Sequence, residues 1–157
     1  MQKSIISASR ATEADPRPRI RVISYTGLSR LVHAVAPEYQ SRANIEISDV
    51  IFDNALAMGH ELESDGSTDV IISAGANAAI LRSSLSLPVV TIKLTGYDVL
   101  LALFKARRYA ERVGIVIFRE PIPEIEQIKE MLRIEVSQRT YTTVDDVSEC
   151  FRALADA

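Results

Sequence analysis

From Ile20 onward, two kinds of apolar spacing take turns along the chain. IRVISY (Ile20–Tyr25) is a compact apolar run that predicts a strand; TGLSRLVHAVAPEY then spaces Leu28, Leu31, Val32 and Val35 as a helix does. ANIEISDVIF (Ala43–Phe52) predicts a second strand and DNALAMGHELES a second helix. DVIISAG (Asp69–Gly75) and NAAILRSSL form the third pair. Pro88 opens a fourth strand, VVTIKL, before the long helix TGYDVLLALFKARRYAER. Its Asp98 lies in the first turn and Arg107, Arg108 and Arg112 in the last, as the helix dipole favours. VGIVIF (Val113–Phe118) is the fifth strand. Pro121 and Glu124 open a helix with Ile122, Ile125, Ile128 and Leu132 on one side. IEVSQRTY is the sixth strand, and TVDDVSECFRALADA a last helix capped by Thr143.

Strands alternating with helices of this length imply βαβ units and a parallel sheet, hence a three-layer α/β/α fold. Strands three to five are nearly unbroken apolar runs, the pattern of strands covered on both faces. Residues Met1–Arg19, with two prolines and alternating charges in ATEADPRPR, offer no face to bury and read as a flexible leader. The last helix meets no further strand for a crossover to reach.

Composition narrows the class. With 157 residues, 47% of them hydrophobic and 25% charged, the chain suits one ordinary globular domain. A net charge of −3 gives no electrostatic reason to expect nucleic acid or an anionic membrane. One cysteine, Cys150, permits no internal disulfide, and no apolar run approaches the roughly 20 residues of a membrane span. The expected location is cytoplasmic.

Open α/β sheets gather ligands beyond the carboxyl ends of their strands. The residues expected there are Ser24, Tyr25, Thr26, Gly27 and Ser29 after strand one and Ser73, Gly75, Ala76 and Asn77 after strand three. Lys93 and Thr95–Asp98 follow strand four, and Arg119 and Glu120 follow strand five. Hydroxyls, glycines and helix-start amides suit a small anion, with Lys93 or Arg119 as counter-charge. Each has a plainer use as a turn, a cap or a rim residue. Asn77 serves equally as a cap, and Asp98 as a first-turn acid.

Sharper chemistries are poorly supported. SAGANAA lacks the Gly-Lys-Ser/Thr ending of a phosphate loop, and no GxGxxG occurs. His33 and His60 have no metal-ligand spacing, and His33 reads as a packing residue within LVHAVA. Cys150 reads as a small core residue. A phosphorylated receiver needs carboxylates after strands one and three, where this chain has Ser24–Tyr25 and Ser73–Ala74. Neither a catalytic residue nor a metal or cofactor is expected.

The stretch DVIISAGANAAILRSSLSLPVVTIKLTGYDVLLAL resembles the core of the PrpR-type sensor domain, the N-terminal module of sigma-54-dependent activators of propionate catabolism. SYTGL, VGIVIFREPIP and QRTYTTVDD extend the likeness over most of Ile20 to Phe151. The resemblance implies two similar Rossmann-like, or chelatase-like, lobes with a cleft between them. The first lobe would cover about 20–112 and a second, incomplete lobe about 113–157. It implies a transcription-regulating ligand sensor rather than an enzyme, binding 2-methylcitrate or a similar polycarboxylate. It would relieve inhibition of an ATPase domain, with a separate DNA-binding domain beyond and no nucleic-acid contact of its own. The ligand residues carried over are Thr26, Gly75, Asn77, Lys93, Thr95, Gly96, Tyr97 and Asp98, with Arg139 as a carboxylate fork. Burial missing from an incomplete lobe points to a homodimer. The rival readings are an enzyme acting on a small anionic metabolite at the same edge, which would need a base within reach, and a ligand-free oligomerisation module.

Overall fold

The structure is a computed structural model whose described residues are 15–155. Of the leader expected over 1–19, residues 1–14 lie outside the described residues. Asp15 is tied to Arg17 and to the Asn44 side chain.

Strand β1 (Arg19–Ser24), helix α1 (Thr26–Val35), a 3-10 turn (Ala36–Tyr39), β2 (Asn44–Asp49), α2 (Asp53–Asp65), β3 (Val70–Ala74), α3 (Gly75–Ser84) and β4 (Val89–Ile92) form the first half. Its parallel sheet has the order β2-β1-β3-β4. Consecutive strand residues point to opposite faces, and β1 shows how this builds three layers. Ile23 enters a cluster with Ala55 and Leu62 of α2, Ile71 of β3 and Leu81 of α3. Ser24 turns the other way, and its hydroxyl meets that of Ser29 in α1 at 2.7 Å. Helices α2 and α3 approach so closely at Gly59 that a Cβ there would meet side-chain atoms of Leu81 and Leu85 at 2.7 Å.

The second half contains α4 (Gly96–Ala106), β5 (Arg112–Phe118), α5 (Ile125–Leu132), β6 (Glu135–Tyr141) and α6 (Val144–Ala155). β5 and β6 pair in parallel as a separate two-stranded sheet. The cluster on one face joins Val99 and Leu103 of α4 to Ile125, Ile128 and Leu132 of α5 and Val136 of β6. On the other face Gly114 leaves room for Leu154 of α6, whose Cδ1 would lie 2.9 Å from an added Cβ.

The predicted α/β alternation is present throughout, and the departures from it are local. Helix α4 ends at Ala106 rather than Arg112, which instead opens β5; Arg107–Tyr109 form a turn. Its buried face packs with the second cluster, whereas the sequence reading grouped it with the first lobe. β2 stops at Asp49 rather than Phe52, because Phe52 adopts φ +54°, incompatible with a strand. Gly75, expected to end a strand, opens α3 with φ +54°, a conformation glycine adopts without Cβ strain. Helix α5 starts at Ile125, after a loop that holds Pro121. His33 is exposed rather than packed. On the sheet face opposite α2 and α3, Val90 of β4 is 53% exposed, so the expected double covering does not extend to that strand among the described residues.

Candidate cleft between the two sheets

The carboxyl ends of β1, β2 and β3 lead into loops that face β5, β6 and α6. Between them lies a cleft of about 560 Å³, walled on one side by Tyr25, Ile51, Phe52 and Ala74–Asn77, and on the other by Val116, Tyr141, Val144, Val147, Ser148 and Phe151.

Buried polar bonds fix the first wall. Ser24 meets Ser29, which in turn donates to the Asp49 carboxylate, so the start of α1 is held to the end of β2. Ser73 is fully buried and donates to the Ile23 carbonyl at 2.6 Å. The two serines weighed at this edge are thus committed to the fold. Asn77 is buried and spans the β2–α2 loop: its Nδ2 donates to the Val50 carbonyl at 2.8 Å, and its Oδ1 accepts from Phe52 N–H at 2.9 Å. Both ends of the amide are therefore used. This clip holds Phe52 in its left-handed conformation against the cleft.

α3 begins beneath this loop with no side-chain cap on Ala74, and nothing stands within 4 Å of the position a Cβ of Gly75 would take. Its first-turn amides therefore remain open donors at the cleft, since the first N–H groups of a helix have no intrahelical partner. The start of α4 differs. Thr95 Oγ1 accepts from Asp98 N–H, and the Asp98 carboxylate accepts from Thr95 N–H at 2.9 Å and from its hydroxyl at 2.6 Å. This reciprocal cap places a carboxylate where an anion would otherwise sit.

Of the residues carried over as ligand contacts, the structure brings Gly75 and Asn77 into the cleft wall. Thr26 is exposed in the first turn of α1, and Lys93 is exposed after β4. Thr95, Gly96, Tyr97 and Asp98 gather at the capped start of α4, with Tyr97 66% exposed. Asp98 lines a neighbouring groove along β5, which shares Phe151 with the cleft. Arg139 is exposed in β6, paired in register with Val116. The walls that sequence reasoning missed are Ile51, Phe52, Val116, Tyr141 and the α6 residues. As apolar positions at regular spacing they read as core, and only the topology turns them toward a cleft.

A second concavity, of about 490 Å³, lies at the opposite end of the first sheet, among Arg17, Arg19 and Arg21. Each of these cations already has a carboxylate: Asp15, Asp69 and Glu46 respectively. The arginines therefore offer little unspent charge to an anion.

The helix caps make the fold acid-sensitive. Hydrogen bonds from Thr95 hold the Asp98 carboxyl below its ordinary range, and bonds from Thr142 and Thr143 hold Asp146 at about 2. A carboxyl depressed in the folded state stabilises above its unfolded pKa, and that contribution is lost as pH falls through the folded value. Stability is expected to fall below about pH 4. Urea midpoints of the Asp146→Asn variant should vary less with pH between 4 and 2 than those of the parent; an unchanged slope would remove Asp146 from the account.

No helix among the described residues is long and apolar enough to cross a membrane. The fold is similar to that of an NtrC family transcriptional regulator from Clostridium acetobutylicum, with a TM-score of 0.78 at 21% identity over 90% of this chain and 74% of that one. The family model described as propionate catabolism activator matches residues 39–157, a span that begins at the end of the 3-10 turn, takes in every strand but β1 and includes most of the cleft walls. This protein therefore belongs to the propionate catabolism activator family.

Proposed function

We propose that this chain is the ligand-sensing domain of a sigma-54-dependent transcriptional activator and that its effector binds in the cleft between the two sheets. The observation that carries this reading is the cleft itself, with strand ends and the uncapped start of α3 on one side and β5, β6 and α6 on the other. A small molecule held between two separately packed clusters favours the conformation in which it touches both. Its differential affinity for that conformation is what shifts the population. Occupancy would then be read by ATPase and DNA-binding domains of the full-length regulator. The role we propose is binding rather than catalysis, in keeping with the match to the propionate catabolism activator family.

The effector of the resemblance, 2-methylcitrate, heads the panel that tests this, followed by citrate, propionate, phenylacetate and phosphate at matched ionic strength. At least one is expected to raise the melting temperature of the protein. Val147→Asp, in the cleft wall, should abolish the rise; Thr95→Ala, at the self-capped helix start, should leave it intact. A panel in which no compound shifts the transition, or in which Val147→Asp keeps the shift, would overturn the reading.

A further inference from the structure

The chemistry of the cleft walls narrows the class of molecule that fits there, an inference that rests on the sensor reading above. Four aromatic rings, those of Tyr25, Phe52, Tyr141 and Phe151, line it together with aliphatic side chains from β5 and α6, and no lysine, arginine or histidine does. The polar side chains are few. The Asn77 amide is already spent at both ends on Val50 and Phe52, which leaves the Ser148 and tyrosine hydroxyls. Burial pushes the Tyr141 hydroxyl above its ordinary pKa, as expected of a group beside an apolar wall.

The open first-turn amides of α3 can receive one carboxylate, but the other charges of a polycarboxylate would have to give up their hydration here without meeting a cation. Burying an ionised carboxylate unpaired is among the costliest exchanges in a protein. Apolar surface brings the opposite balance, about 25 cal/mol for each Å² removed from water. The cations carried over for a polycarboxylate, Lys93 and Arg139, are exposed and outside the cleft wall. The volume, about 560 Å³, falls within the range of roughly 300–1,000 Å³ usual for small-molecule sites.

We infer that the cleft takes a small molecule with an aromatic or branched aliphatic body and at most one negative charge. Such a ligand lays its body between the rings of the two walls and turns its one polar end to the open amides at the start of α3. Phe151 is the position at which this inference is most exposed to test. It lines the cleft yet is 60% exposed, so its replacement removes ligand contact with little effect on folding.

Titration calorimetry and thermal shift on the protein, with phenylacetate and benzyl alcohol as apolar probes and citrate and tricarballylate as polycarboxylates, decide the question. The apolar probes are expected to bind with a negative heat-capacity change. They should weaken at least tenfold in Phe151→Asp and recover in Phe151→Leu, with no shift from the polycarboxylates. Tighter binding of citrate or tricarballylate, weakened by Val147→Asp, would overturn this inference and leave the sensor reading standing. Silence from every probe in this set overturns the inference as well, and only silence across the broader effector panel removes the sensor reading with it.

Discussion

Leu81→Ala is expected to lower the unfolding free energy by about 2–5 kcal/mol, the range for emptying a fully buried leucine site. Leu81 has no exposed surface and stands where four elements meet: α3, which carries it, β1 through Ile23, β3 through Ile71, and α2 through Ala55 and Leu62. The site resists collapse because the helices are already close, with Gly59 of α2 packed against the Leu81 side chain. A methyl group left there keeps few of the original contacts, and a rigid wall that cannot follow it leaves a cavity. The control is Leu31→Ala in α1, a leucine 66% exposed, which should change stability by less than about 0.5 kcal/mol. Urea unfolding checks both. The Leu81 variant should shift its midpoint with the m-value unchanged, and equal midpoints for the two variants would show that this cluster does not hold the first sheet together.

The alternation of strand and helix, and so the α/β class, could be read directly because each element carries its own period. VIISA and GIVIF are dense enough to be strands in any setting, and the stripe of Ile125, Ile128 and Leu132 has helical spacing, although Ile122, which shares that spacing, lies in the loop before α5. The boundaries that failed did so for identifiable reasons. Phe52 has the composition of a strand residue but sits at φ +54°, and Arg119 and Arg133 take similar values. None of the three is glycine or asparagine, so no residue type announces the turn. Helix α4 packs with the elements that follow it, and the order of elements along the chain says nothing about which cluster receives Val99 and Leu103.

The candidate site was legible by half. The turn at Gly75 and the polar Asn77 drew attention to the start of α3, where one wall of the cleft lies. TGYD drew equal attention, and there the spacing Thr-x-x-Asp is also that of a cap whose two members satisfy each other. Sequence cannot separate an open helix start from one closed by its own carboxylate unless the cap spacing is given its full weight. The apolar wall from Val144 to Phe151 was invisible for a different reason. A helix stripe looks the same whether it meets a sheet or faces a cleft.

Asn77→Ala should weaken both folding and binding, by about 1–3 kcal/mol for the first. Truncation leaves the Val50 carbonyl and the Phe52 N–H without their partner beside the sheet. The effect on the cleft follows from Phe52. A non-glycine residue at φ +54° is held in a sparsely populated conformation only as long as its surroundings insist on it; the Asn77 amide grips its N–H, while the Leu56 N–H holds its carbonyl from the helix that follows. Without the clip, the Ile51–Phe52 wall relaxes and ligand contact is lost without any change in the residues that touch the ligand. Asn77→Asp distinguishes this from a general loss of packing. Its carboxylate can still accept from Phe52 N–H, but it turns an oxygen toward the Val50 carbonyl, where the amide had donated. Burial and that carbonyl both favour the protonated acid, so the carboxyl pKa in the folded variant is raised, and the variant is most stable at low pH and weakens as pH rises. Relative to the parent, Asn77→Asp should therefore approach normal stability and ligand affinity in mildly acidic buffer and lose both near neutrality, whereas Asn77→Ala should be impaired at both. Thermal melts at the two pH values decide it. Equal damage to Asn77→Asp at both would mean that Asn77 fills space and does not clip the loop.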